Sequence, residues 1–345
     1  MFREMKRVIV TLCLGLLFII AFFVLHLEVN DGEALVVEGE RFSFRNPLLN
    51  SADSVGKKVY SKLIWTLPGS KIDSLVEQFN VKGTEYLSLD TKRNFLWCDS
   101  EMRTHQPLKM FERSCVDVGF KEDTGKKVAL ASFPGSGSTW CRTLLEQATG
   151  VFTGAIYCDR SLKAEGFVGE YITTRNVIAI KTHSPRVTKI KYDAAIFVVR
   201  HVADAIKSEI NRKSSHRNHT GTVDESEYGA SGLLDDKFLI KFSDRYLKTV
   251  AIWLDGHIPV IVVRYEDLLK DTRTQLRRML DFLEFPYTEE RLDCVMNHQV
   301  QTFHRKHAHD FDPFSPALHR KFLQVTRQAE PLLNKYNVSY KEFLT

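Results

Sequence analysis

Along the first third of the chain no apolar period persists, but from Val128 onward short apolar runs alternate with amphipathic stretches. VALASF at Val128, NVIAIKTH at Asn176, AAIFVVR at Ala194 and IPVIVVRYEDL at Ile258 each read as a buried strand, and each is followed by an amphipathic stretch. Strand and helix in alternation predict a parallel sheet covered on both faces. DTRTQLRRMLDFLEF has an acidic start, apolar Leu276, Met279, Leu280 and Leu283, and Pro286 just beyond, which predicts a helix with a sharp stop. Between Arg212 and Asp236 the chain is rich in Ser, Gly, Asp and His, the composition of a long exposed loop.

The N-terminus follows a different rule. Arg3, Lys6 and Arg7 precede an uncharged run from Val8 to Leu25, which as a helix reaches about 27 Å, enough for a thin bilayer. The run ends in Leu-His-Leu-Glu rather than at a small-residue cleavage site, so it reads as an uncleaved signal anchor. With the basic residues before the span and Glu28, Asp31 and Glu33 after it, residues 1–7 are expected in the cytosol and the body in a lumen. The division is then a tail over 1–7, a transmembrane helix over 8–27, a stem over 28–94 and a luminal domain over 95–345. Asn218-His-Thr220 and Asn337-Val-Ser339 carry the N-glycosylation pattern, which fits that side of the membrane. Five cysteines lie beyond the span, an odd number; Cys98 with Cys115 and Cys141 with Cys158 are the pairings suggested by proximity in sequence.

Composition narrows the rest. The chain has 345 residues, 43% hydrophobic, and a formal net charge of +5 spread in pairs rather than in a tail, which suits a small polyanionic ligand better than a nucleic acid. No CxxC or zinc-ligand spacing occurs, so no metal is expected.

The chemistry concentrates at four places. Pro134-Gly135-Ser136-Gly137-Ser138-Thr139 sits between a strand and a helix, where backbone N–H groups and the helix dipole converge on an anion; Trp140 follows, with a flat face suited to a purine. A nucleoside triphosphate loop needs Lys before the Ser/Thr, but here Gly137 precedes Ser138. Lys181-Thr182-His183 ends the second strand, placing a cation and a titratable base on one side of an extended segment at the ligand-binding edge of a parallel sheet. Arg200 ends the third strand, with Ser208 about two turns into the following helix, and Arg305-Lys306 form a late basic pair.

In this order the clusters resemble the sulfotransferase superfamily, whose sulfuryl donor is 3'-phosphoadenosine 5'-phosphosulfate (PAPS). The resemblance covers roughly Lys126 to Tyr340. It implies an α/β fold with a P-loop-like parallel sheet flanked by helices, Pro134–Trp140 as the 5'-phosphosulfate loop, His183 as the base with Lys181 beside it, Arg200 and Ser208 on the 3'-phosphate, and Arg305 and Lys306 closing over it. The run from SFPGSGSTW through GVFTGAIYCDRSLKAEGFVGE to KTH is most similar to the WSC-domain-containing sulfotransferases, which are Golgi type II proteins linked with sialic acid sulfation; the WSC modules are lacking here. A glycan hydroxyl in the Golgi lumen is the acceptor this implies. Cytosolic members carry a Lys where Gly135 stands, so the missing charge must come from elsewhere, with Lys181 or Arg142 as candidates. The rival readings are a luminal nucleotide-dependent kinase and a non-catalytic glycan-binding relative.

Overall fold

The computed structural model describes residues 64–99 except 66, 115–183, 190–214, 235–298 and 311–344. It also gives the backbone of three short strands, β1 (Glu28–Asn30), β2 (Ala34–Val37) and β3 (Glu40–Ser43), paired antiparallel. The expected span over 8–27 lies outside these residues; among those described, no helix is long and apolar enough to cross a membrane.

The body is a five-stranded parallel sheet in the order β5-β6-β4-β7-β8, made of β4 (Val128–Ser132), β5 (Gly154–Ala155), β6 (Ile180–Thr182), β7 (Ala194–Val199) and β8 (Val260–Arg264). The predicted parallel sheet is therefore the observed one, although among the described residues no helix separates β6 from β7. β4 is central, and all five of its residues are buried. Such a strand is apolar throughout because both faces are covered: Ala129 and Ala131 point into one core, Val128 and Leu130 into another. The first core also holds apolar residues of three helices, Val202–Ser214, Asp236–Trp253 and Pro316–Asn334; the second holds those of Ser138–Thr149, Thr272–Phe282 and Glu289–His298. Asp271 caps the predicted helix as expected, its carboxylate accepting from the Thr274 N–H at 3.0 Å.

Two expectations change. Residues 64–94, assigned to the stem, belong to the body: Ile64, Ile72, Val76 and Leu87 pack with Phe95, Phe120, Phe152 and Ile180 in a third core against the β5–β6 edge. The helix Gly69–Glu77 buries only Ile72 and Val76, too little apolar periodicity to stand out in a sequence. The cysteine pairing also differs. Cys98 bonds to Cys158 and Cys115 to Cys294, while Cys141 is a buried free thiol. Cys141 lies inside the helix Ser138–Thr149 and faces the second core, so proximity in sequence to Cys158 never becomes proximity in space. Burial raises its thiol pKa to about 12, which keeps it protonated and inert.

Candidate active site

Register alone assembles the site. β4 lies between β6 and β7 with Ala131 opposite Thr182 and Ser132 opposite Val198, so the three strands end side by side. The loop after Ser132, His183 after β6 and Arg200 after β7 thereby meet at the C-terminal edge, the position where open parallel sheets bind ligands.

The loop is shaped by two glycines. Gly135 has φ +81°, and a Cβ there would lie 2.1 Å from the Ala205 carbonyl oxygen and 3.0 Å from the Glu209 nitrogen. Gly137, the N-cap of Ser138–Thr149, has φ +92°, and its Cβ would meet the Tyr265 ring at 2.5 Å. Only glycine fits either position, for both conformation and space. The Ser136 N–H closes the turn on the Phe133 carbonyl at 3.2 Å. Among the described residues, the Ser136 hydroxyl is buried with no hydrogen-bond partner. A polar atom left so is costly unless a ligand completes it.

Arg200 donates to the Gly135 carbonyl at 3.2 Å, and its guanidinium lies over the Tyr265 ring at 4.3 Å. Ser208 is half-buried on the turn Ala205–Glu209, the turn that Gly135 touches. Arg200 thus touches the loop directly, and Ser208 lies on the helix turn against which the loop packs.

His183 is half-buried. Its Nδ1 lies 3.1 Å from both the Ser132 hydroxyl and the Ser132 carbonyl. Burial and the nearby Lys181 lower its pKa to about 3, so the ring is neutral at physiological pH. A neutral ring whose Nδ1–H donates to a carbonyl carries its lone pair on Nε2, and a base needs that tautomer. Lys181 is only 5% exposed, and burial lowers its pKa to about 8, with Glu170 opposing that fall. Its ammonium makes no hydrogen bond or ion pair with a described residue.

Two assignments need correction. Arg142 cannot replace the loop cation, because it is fully buried and its guanidinium is engaged by protein partners. It pairs with Glu170, donates to the Thr153 hydroxyl at 2.7 Å and stacks on Phe167. Trp140 is 3% exposed in the second core, edge to face with Tyr265 at 5.9 Å, and presents no open face to a purine. Arg305, Lys306 and Asn218 lie outside the described residues. Asn337 is exposed, in a left-handed turn after Pro316–Asn334.

Sequence reasoning did not single out Tyr157, Arg212 or Arg245. Arg245 donates to the His183 carbonyl at 3.3 Å. Arg212, held by both Glu209 oxygens at 2.8 and 2.7 Å, acts electrostatically on Lys181 and His183. Arg212 follows Ala205 and Glu209 at i+7 and i+3, the stripe on which Gly135 rests; helical spacing was the available signal. Among the described residues, one group of side chains is close enough to share a metal ion, Cys115, Cys294 and His298, and its two sulfurs are joined as a disulfide.

A parallel sheet with a phosphate-type loop on its central strand, a neutral histidine on one neighbour and an arginine on the other defines a group-transfer enzyme class acting on an anionic donor. Residues 125–310 match the sulfotransferase domain family, and the chain belongs to it. It is 34% identical over 244 residues to a WSCD family member of Aedes aegypti, covering 67% of this chain and 76% of that protein. WSCD family members of Drosophila melanogaster and Drosophila pseudoobscura pseudoobscura are 35% and 36% identical over 214 residues, each match covering 60% of this chain and 66% of the relative.

Proposed function

We propose that the protein transfers a sulfuryl group from PAPS to a glycan hydroxyl. The buried Ser136 hydroxyl, which has no hydrogen-bond partner among the described residues, carries the reading, since it belongs to the sheet edge where loop, Lys181, His183 and Arg200 meet. They fit PAPS: the amides and hydroxyls of Ser136, Ser138 and Thr139 would hold its 5'-phosphosulfate, and Arg200 and Ser208 its 3'-phosphate. When bound, PAPS supplies an activated sulfuryl group. His183 Nε2 would take the proton of the acceptor hydroxyl, and the loop would hold the 5'-phosphate that leaves as PAP when its bond to sulfur is replaced by the acceptor's. Lys181 and Arg212 supply positive charge where negative charge builds, in place of the cation that Gly135 excludes.

A kinase reading has less support, because a Lys before Ser138 has no room where Gly137 meets Tyr265. The membrane and Golgi reading rests on the basic residues before the Val8–Leu25 run, and two disulfides agree with an oxidising lumen. Sialic acid is the acceptor we put forward, from the resemblance to the WSC-domain-containing sulfotransferases.

The test uses purified full-length protein, labelled PAPS and a sialylated glycoprotein. Label is expected on the glycan and lost after desialylation. Transfer that survives desialylation overturns the sialic acid assignment. Absence of both transfer and binding of the desulfated nucleotide PAP overturns the enzyme, and PAP binding without transfer to any glycan favours the non-catalytic reading.

A further inference from the structure

β5 ends at Ala155, which pairs with Lys181, two residues short of the histidine. On the β5 side of β6, the Ala179 carbonyl accepts from Gly154 N–H at 2.8 Å and the Lys181 carbonyl from Ile156 N–H at 3.1 Å. The next backbone donor facing that way is His183 N–H, and no strand carbonyl continues the ladder. The Tyr157 phenol oxygen takes its place, accepting from His183 N–H at 3.1 Å. The tyrosine ring also stacks on the imidazole, with centroids 5.8 Å apart and planes 24° apart.

Tyr157 is itself tied down on both sides. Its carbonyl accepts from Tyr171 N–H at 2.9 Å, and the next residue, Cys158, is bonded to Cys98. Asp159 N–H then donates to Glu170 at 2.8 Å, the carboxylate that also holds Arg142. Among the described residues His183 otherwise hydrogen-bonds with Ser132 and Arg245, so the hydroxyl and face of Tyr157 cover a side of it that those contacts leave open.

We propose that Tyr157 is a positioning residue for His183, and that the Cys98–Cys158 disulfide holds Tyr157 in register. The role rests on the reading of His183 as the base; the contact does not. Tyr157→Phe keeps the ring and removes the acceptor, so it isolates the hydrogen bond. In full-length protein, amide hydrogen exchange at His183 is expected to speed up about tenfold, the scale of one lost hydrogen bond. The turnover number for sulfuryl transfer is expected to fall by a similar factor, while PAP affinity stays within about twofold. Cys98→Ser/Cys158→Ser should reproduce that split, and adding Tyr157→Phe to it should cost less than the product of the separate losses.

Unchanged exchange at His183 in Tyr157→Phe overturns the proposal. So does a turnover loss matched by an equal loss of PAP affinity, or strictly multiplicative losses in the cycle. If the cysteine variant does not fold, Tyr157→Phe alone decides. Faster exchange at His183 in a protein that transfers no sulfate from PAPS supports the contact and overturns the enzyme reading instead.

Discussion

His183 is half-buried, and its surroundings favour the neutral imidazole over the protonated one. Burial and Lys181 drive its pKa to about 3, so it is unprotonated across the range in which the protein works, and the Ser132 carbonyl leaves the lone pair on Nε2. His183→Ala is expected to lower turnover by about 100-fold or more, within the range for general base catalysis, with PAP affinity within about twofold by calorimetry. Lys181 sets the opposite limit. Its pKa, lowered to about 8 by burial, means that its charge is present below that pH and lost as pH rises through it. PAP affinity of the unliganded protein is therefore expected to fall above about pH 8, and Lys181→Met should be weaker throughout and lack that step. Both residues were legible in the sequence because Lys-Thr-His follows an apolar run directly. Tyr157 was not, because its partner is 26 residues away and the two-residue strand before it is too short to register as a period.

At the scale of elements, the informative contact is the loop against the helix Val202–Ser214. A β-carbon at Gly135 would sit 2.1 Å from the Ala205 carbonyl, and backbone cannot yield there. The absence of a loop lysine is therefore built into the packing. Gly135→Ala is expected to lower PAP affinity at least tenfold, through strain at φ +81° and displacement of Ser136. Gly135→Lys should do the same or worse, and a gain in affinity or turnover would refute this account. The helix Ser138–Thr149 shows a second element-scale effect, a buried row of Arg142 and Glu146. Burial raises the Glu146 pKa from 4.5 to about 7, so the folded state holds a proton that the unfolded chain has released. Stability is expected to decline as pH rises from about 4.5 to 7. In Glu146→Gln thermal unfolding should lack that dependence. Nothing in a helical pattern announces such a row, since Arg and Glu four apart read as a solvated pair.

For the whole molecule, the N-terminal helices and the disulfides decide what counts as the domain. Cys98–Cys158 closes a loop with a sequence separation of 60, worth about 4 kcal/mol in the chain-entropy account. Cys98→Ser/Cys158→Ser is expected to lower the thermal midpoint by several degrees, with intact mass confirming one disulfide fewer. Much of the architecture was nonetheless readable in the chain. Apolar runs long enough to be buried strands, glycines at a strand-to-helix turn and charged residues just past strand ends are local signals, and they placed the sheet, the anion loop, His183 and Arg200. What only the tertiary structure decided are matters of distant partnership: which cysteines pair, that Arg142 serves Glu170 rather than the ligand, that Trp140 is core, that Tyr157 stands beside His183 and that the charge of Arg212 reaches it. A sequence records how each segment can satisfy itself, whereas a buried charge or donor takes whichever partner packing brings to it.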